Sequence, residues 1–434
     1  MPTLNFKQQN EIKDNFLKFG LKSNPFPMAG IAHREHPYTE ISQKVNQDVV
    51  EFVDSMTLNK TWQGLVILGD IGTGKTKLLF FIENEINTQL TFANAIYTHD
   101  PSPDPIKFIQ QIIRSGHIDD LTELIINNSD YYPDFVKIIK KYIRTTVDIL
   151  GVKKGEIKDA PELITEISKL LVHKIKHDKI RPAYSTLIVD YILKEEFKET
   201  EKIDIQLNEE WDLAIEGVKC FLCGEQIPGS KLEYFKIQPY IKIDKTVMET
   251  EILPAFLEYN HLAGKEIIFA IIDEFNFITE KYSRARVIET LNIITSLSHS
   301  IPNGFCMLLS CTIDSWYVAE RISPSFSNRF NRNISMPPLT KDGAIKLTKA
   351  YLDYGREKKD KDTIDPFTLE SIEKILSYSD FKPREFLKLS GYVLDQFVNV
   401  AKSKDSIDID FTNHSLKKYF EKGKLSQGTL EKWY

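Results

Sequence analysis

The sequence predicts an α/β fold: a parallel sheet whose first strand runs into a glycine-rich loop, a large, mostly helical insertion, and a helical C-terminal part. Three stretches predict it. Residues 65–81 read LVILGDIGTGKTKLLFF, an apolar run of strand length that breaks into glycines and then turns apolar again. Residues 266–276 read EIIFAIIDEFN, in which Ile267 to Ile272 are all apolar and close on two carboxylates. A continuous run of this kind suits a central parallel strand buried on both faces. Residues 305–312 read FCMLLSCT, a third apolar run, ending in hydroxyl side chains.

Bulk composition sets the frame. A chain of 434 residues with 42% hydrophobic and 27% charged residues has the make-up of a globular protein of two or three domain-sized units. Its net charge of −6, from 56 basic and 62 acidic residues, excludes a global basic bias toward nucleic acid but leaves room for a local basic surface. Four cysteines argue against a disulfide scaffold and for a reducing compartment. The opening MPTLNFKQQNEIKDNF lacks the apolar centre of a signal peptide. No stretch reaches the roughly 20 apolar residues of a membrane helix, so a cytoplasmic protein without a membrane partner is expected. There is no internal repeat, and the charge run EKKDKD at 357–362 reads as a solvated loop or helix end.

The glycine-rich stretch Gly69-Asp70-Ile71-Gly72-Thr73-Gly74-Lys75-Thr76 matches the P-loop pattern in full. Glycines let the backbone curl until its N–H groups point at phosphate oxygens, and a helix starting near Lys75 turns the positive end of its dipole toward the same charge. Lys75 is expected on the β- and γ-phosphates of ATP and the Thr76 hydroxyl on Mg²⁺. Leu78, Leu79, Phe81 and Ile82 give the helix its apolar face.

A P-loop needs a second, acidic site. Asp273 is expected to hold Mg²⁺ through its water shell, and Glu274 to polarise the attacking water, which makes the reaction a hydrolysis. The alternative is a buried strand that merely ends in a surface acidic pair. The run ending at Thr312 is expected to lie between the two motif strands. Thr312, or else Ser310, would bond the γ-phosphate or the lytic water; equally, Thr312 is a helix N-cap. Arg329 and Arg332 flank Phe330 in a loop, where an arginine either completes a neighbouring subunit's site or forms an ordinary surface pair. Lys382-Pro383-Arg384 places Arg384 in the first turn of a late helix, within reach of a nucleotide.

This order of motifs resembles an AAA+ ATPase of the branch that holds archaeal replication initiators and the ATPases of transposition and phage defence. The resemblance implies sensor 1 at Thr312, the arginine finger at Arg329 and the sensor 2 arginine at Arg384. It also implies a helical lid at 365–402, with Ile372, Ile375, Leu376, Phe386, Val393, Leu394 and Phe397 inward. Gly20-Leu21-Lys22-Ser23-Asn24-Pro25-Phe26 is similar to the segment that precedes the P-loop near the adenine in this branch. The chain departs from the pattern in the gap between motifs, 273 − 75 = 198 residues. The implied layout is 1–102 for the N-terminal segment and first part of the core, 103–260 for the insertion, 261–340 for the second part of the core, and 341–434 for the lid and tail. The long gap, with Trp211 and Gly224-Glu225-Gln226-Ile227-Pro228, also resembles ATP-binding proteins of BREX-type phage exclusion, more distantly. Residues 403–434 are too few for a winged-helix DNA-binding domain.

Within the insertion, residues 135–150 put Phe135, Ile138, Ile139, Tyr142 and Ile143 on one helical face and Lys137, Lys140, Lys141 and Arg144 on the other. Lys174, Lys176, Lys179 and Arg181 form a second basic cluster. Such stripes either bind DNA phosphates without reading sequence or are simply solvated. Cys220 and Cys223 form one CxxC without a second pair, so buried thiols before a glycine turn are a better reading than zinc. Residues 234–243, YFKIQPYIKI, are a strand or a connection. The whole reads as a Mg-ATP-hydrolysing ATPase that assembles with itself or with partners and acts on or with DNA, as a loader, remodeller or defence component. The alternatives are a STAND-like nucleotide switch and a protein-remodelling ATPase without DNA contact.

Overall fold

A computed structural model describes residues 15–29, 33–40, 42–127, 160–198, 209–233, 235–240, 242–357, 363–401 and 405–430. The basic helix face of Lys137, Lys140, Lys141 and Arg144, and residues 358–362 of the charge run, lie outside the described residues. Among the described residues the strands are β1 (Gln63–Leu68), β2 (Ala93–Thr98), β3 (Ile267–Ile272), β4 (Phe305–Cys311) and β5 (Arg332–Ser335). They form one five-stranded parallel sheet in the order β2-β3-β4-β1-β5. As expected, β4 lies between the strand of the glycine loop and the strand of the acidic pair. Every residue of β1, β3 and β4 is buried, which is why these segments read as unbroken apolar runs rather than alternating ones.

Along the described residues, the helices before β3 are α1 (Gln43–Asn59), α2 (Lys75–Gln89), α3 (Pro105–Ser115), α4 (Ile118–Asn127), α5 (Ala160–Leu170), α6 (Arg181–Lys198), α7 (Glu209–Leu222), α8 (Gly229–Glu233) and α9 (Leu253–Leu262). A helical turn, Lys245–Val247, and a π-helix, Met248–Ile252, lead into α9. After β3 come α10 (Asn276–Lys281), α11 (Arg284–Ser300), α12 (Ile313–Ile322), α13 (Pro324–Ser327), α14 (Lys341–Gly355), α15 (Leu369–Tyr378), α16 (Pro383–Val398) and α17 (Ile409–Leu430). Residues 235–240 and 242–243 carry no strand, so the described part of YFKIQPYIKI is a connection. None of the described helices is long and apolar enough to cross a membrane.

The chain divides into two compact units: Met1–Glu51, Ile67–Phe81 and Ile334–Tyr434 form the first, Phe52–Val66 and Ile82–Asn333 the second. In the second unit, the described helices from α3 to α9 follow β2 and precede β3 in chain order and pack into a helical layer. Asp104 starts it: its carboxylate accepts the Ile106 and Lys107 N–H groups ahead of Pro105 at the first helical position, the arrangement that satisfies orphan donors at a helix start. Phe108, Ile109, Ile112 and Ile113 then recur at helical spacing and are fully buried. Deeper in the layer Tyr184 stacks on Tyr259 with centroids 4.2 Å apart, and Tyr259 shares a 2.7 Å hydrogen bond with Thr122. Trp211, 1% exposed, donates its indole N–H to Asp190 at 2.8 Å. The tryptophan behind the more distant sequence resemblance is therefore a core residue.

In the first unit α14 to α17 enclose an apolar core in which all seven positions from Ile372 to Phe397 expected to face inward are buried. Thr368 and Ser371 close a reciprocal capping box at the start of α15. The segment at 20–26 is part of this core. Asn24 donates to the Gly391 carbonyl at 2.9 Å and to Asp395 at 2.7 Å on α16, and accepts the Phe26 N–H at 3.0 Å. Phe26 stacks on Tyr351 of α14 with centroids 5.8 Å apart. Gly355 at the end of α14 has no room for a Cβ, which would stand 2.7 Å from Pro25. The N-terminal segment is thus a strap over two helices from the far end of the chain.

Candidate active site

The glycine loop belongs to the first unit. Gly72 and Gly74 have φ of +87° and +96°, the left-handed region that side-chain-bearing residues avoid, and α2 begins at Lys75. Lys75 is 7% exposed, and its ammonium donates to the carbonyls of Gly69 at 2.7 Å and Asp70 at 3.0 Å. Thr73 donates to the Asp70 carbonyl from both N–H and hydroxyl. Ile71 stands exposed at the tip and Thr76 is half-buried. Leu78, Leu79 and Ile82 are buried, while Phe81 stacks on Tyr38 with centroids 4.1 Å apart. Lys77 donates to the carbonyls of His33 and His36, and burial pushes its ammonium down to about 8.

The same unit brings Arg384 to the loop. Pro383 sits in the first turn of α16, and the Arg384 N–H donates to the Gly72 carbonyl at 3.1 Å. A Cβ on Gly72 would stand 3.1 Å from the Arg384 Cβ. Lys382 lies 3.9 Å from the Asp70 carboxylate. On the other side the Met336 N–H donates to the Leu68 carbonyl at 2.7 Å, just before the loop.

The acidic pair belongs to the second unit. Asp273, fully buried, follows β3 directly. Tyr97 at the end of β2 donates its hydroxyl to Asp273 Oδ2 at 2.7 Å. Ser310 on β4 donates to Oδ1, which also accepts the Glu274 N–H at 2.9 Å. That N–H is shared with Ser310 Oγ at 3.2 Å. Glu274 itself has φ +56°, an uncommon turn for a residue with a Cβ. The His99 ring nitrogen lies 3.8 Å from Oδ2, and its bonding to Asp273 raises the imidazole above its ordinary value.

Thr312 and Arg329 stand elsewhere in that unit. Thr312 caps α12: its oxygen accepts the Ser315 N–H at 3.3 Å and its hydroxyl donates to Ser315 Oγ at 2.8 Å. Ser315 in turn donates to Glu280 at 2.8 Å. Thr312 is thus the N-cap of α12, and Ser310 is the hydroxyl that meets Asp273. Arg329 donates to the His299 ring at 2.6 Å. Its carbonyl presses on β1, where a Cβ on Gly64 would stand 2.5 Å from it. The neighbouring Phe330 packs edge-on to Trp316 and tilted to Phe326.

Tyr97, Ser310 and His99 are the site residues that sequence reasoning missed or ranked second. The available signal was their place: polar residues at the carboxyl ends of the two strands that flank β3. In the insertion, Arg181 is already engaged, donating to the Ile175 carbonyl at 3.0 Å and pairing with Asp178, while Lys179 lies over the Tyr240 ring. Cys220 and Cys223 are free thiols, and burial pushes Cys223 up to about 12. Among the described residues no group of three or more His, Cys, Asp or Glu side chains is gathered for a metal.

No family model and no curated protein matches the chain. Among solved structures it is similar to the ORC2 protein of Aeropyrum pernix in its ADP form, at 10% identity over 88% of this chain and 69% of that one, with a TM-score of 0.44. The same protein in ADPNP-ADP complexes gives 10% identity over the same shares and a TM-score of 0.42. The Aeropyrum pernix ORC1 protein in complex with DNA gives 7% identity, 88% of this chain, 66% of that one and a TM-score of 0.41. Likeness this slight leaves function to be read from the chain's own residues.

Proposed function

We propose that the chain is an AAA+-type P-loop ATPase that binds Mg-ATP and hydrolyses it. The observation that carries the reading is the glycine loop itself: a full P-loop sequence on a strand–loop–helix, with left-handed glycines and a buried lysine at the helix start. The amides of Gly69 to Thr76 cradle the phosphates, Lys75 leaves its loop carbonyls for the β- and γ-phosphates, and Arg384 senses the nucleotide from α16. Thr76 and Asp273 would hold the magnesium ion. Their hard oxygen donors suit Mg²⁺, which keeps most of its waters and takes few protein ligands, and the hydroxyl and amide donors around Asp273 hold its carboxylate ready for a cation. Bound magnesium supplies charge neutralisation on the phosphates. Glu274 is the general base toward water. Thr312 acts as sensor 1, and Arg329, released from His299, completes the site of a neighbouring subunit in an oligomer or hetero-complex.

The test is phosphate release from purified protein with Mg-ATP, alone and with duplex DNA. Turnover that disappears in Glu274→Gln while nucleotide binding persists supports the reading; phosphate release unchanged by Lys75→Ala refutes it. Action with DNA is the accompanying proposal, through the exposed lysines of the insertion such as Lys174, and it demands salt-sensitive binding and stimulated turnover.

A further inference from the structure

The carboxylate of Asp273 is held from both sides by the strands that flank β3. Ile272 pairs with Thr98 of β2 and with Leu309 of β4, so Ser310 falls level with Asp273, while Tyr97, paired with Ile271, stands two positions before that level on the other side. The two hydroxyls divide the carboxylate between them, Tyr97 on Oδ2 and Ser310 on Oδ1. An ionised carboxylate is acceptor-only, and one that is fully buried has a strong demand for donors. These two side chains hold its torsion, together with the His99 ring near Oδ2 and the Glu274 N–H on Oδ1. Ser310 does more: it also receives the Glu274 N–H at 3.2 Å, and its carbonyl receives the Phe275 N–H at 2.9 Å. It braces the left-handed turn at Glu274 on which the second carboxylate is mounted.

We propose that Tyr97 and Ser310 are positioning residues of the ATPase site, Tyr97 for the metal-serving carboxylate alone and Ser310 for both carboxylates at once. The inference rests on the Mg-ATPase reading above and adds an asymmetry to it. Partners that orient a metal-serving group tune metal affinity by about 10–100-fold. Loss of the Tyr97 hydroxyl should therefore raise the magnesium requirement without slowing a site saturated with metal. Loss of the Ser310 hydroxyl should raise the requirement and also lower the saturated rate, because Glu274 loses its brace.

The experiment compares the full chain with Tyr97→Phe and Ser310→Ala. Binding of a fluorescent ADP analogue is measured across a magnesium titration and in EDTA, and ATP turnover is measured at saturating magnesium. Tyr97→Phe should shift the magnesium midpoint upward by about tenfold, with binding in EDTA and saturated turnover as in the parent. Ser310→Ala should show the shift together with reduced turnover. A magnesium curve for Tyr97→Phe that overlies the parent's overturns the inference. So does a loss of nucleotide binding of the same size with and without magnesium, the mark of general damage. Tyr97→Phe keeps the ring and decides the matter even if Ser310→Ala does not fold. A parent chain with no magnesium-dependent nucleotide binding would instead sink the ATPase reading and the inference with it, whereas a parent that binds and turns over beside an unaffected Tyr97→Phe sinks the inference alone.

Discussion

The glycine loop and the carboxyl end of β3 handle charge in opposite ways. At the loop the described bonds to the Lys75 ammonium run to main-chain carbonyls, and the neighbouring α16 joins through its own main chain at Gly72. At β3 the Asp273 carboxylate is met by the Tyr97 and Ser310 side chains, with one main-chain amide. A site written in backbone tolerates many side chains but demands glycine where φ is positive or space is absent. A site written in side chains tolerates backbone neighbours but is retuned by the loss of a single hydroxyl.

The largest effects should separate the two regions by kind. Lys75→Ala should abolish nucleotide binding, whereas Glu274→Gln should keep it and lower turnover by roughly 10²–10⁴-fold, the usual worth of a general base. Calorimetric nucleotide titration beside phosphate release distinguishes these outcomes, and equal binding losses in both variants would erase the contrast. Next, Gly72→Ala should cost about 1–2 kcal/mol from its left-handed φ alone, with further cost from Arg384, read as a lower denaturant midpoint. A neutral result would mean that the loop and α16 are not locked together. Away from the site, Asn24→Ala should cost about 1–2 kcal/mol through three lost hydrogen bonds, among them the one to the Gly391 carbonyl, visible in thermal melting.

The last effect concerns pH. Lys77, lowered to about 8 in the fold against an ordinary 10.5, binds fewer protons folded than unfolded between those values. Stability should therefore rise with pH across that window, and Lys77→Met should remove the rise when urea midpoints at pH 8 and pH 10 are compared.

Much of the sheet was legible because its signals are local. The run at Ile267–Ile272, the run at Phe305–Cys311 and the glycine punctuation before Lys75 all announce themselves within a few residues. Pro383 marked the start of α16 for the same reason. What was not legible depends on register between distant strands and on side-chain partners. Nothing near Tyr97 says that its hydroxyl meets a carboxylate beyond a long insertion, and β2 has no motif of its own. Arg181 reads as a free cation until the fold supplies Asp178 and the Ile175 carbonyl. The partners of the segment at 20–26 on α14 and α16 were not legible either, because Asn24 recognises main-chain and carboxylate groups that no local pattern reveals.

That strap has a practical meaning for anyone trimming the gene. A clone that opened at the first strand would retain every nucleotide motif and still lose the cover over Tyr351 and Phe367, leaving greasy rings in water and Asp395 without its amide. Such a truncation should emerge from cells as an aggregate, and its lack of activity would say nothing about the catalytic residues it still carries.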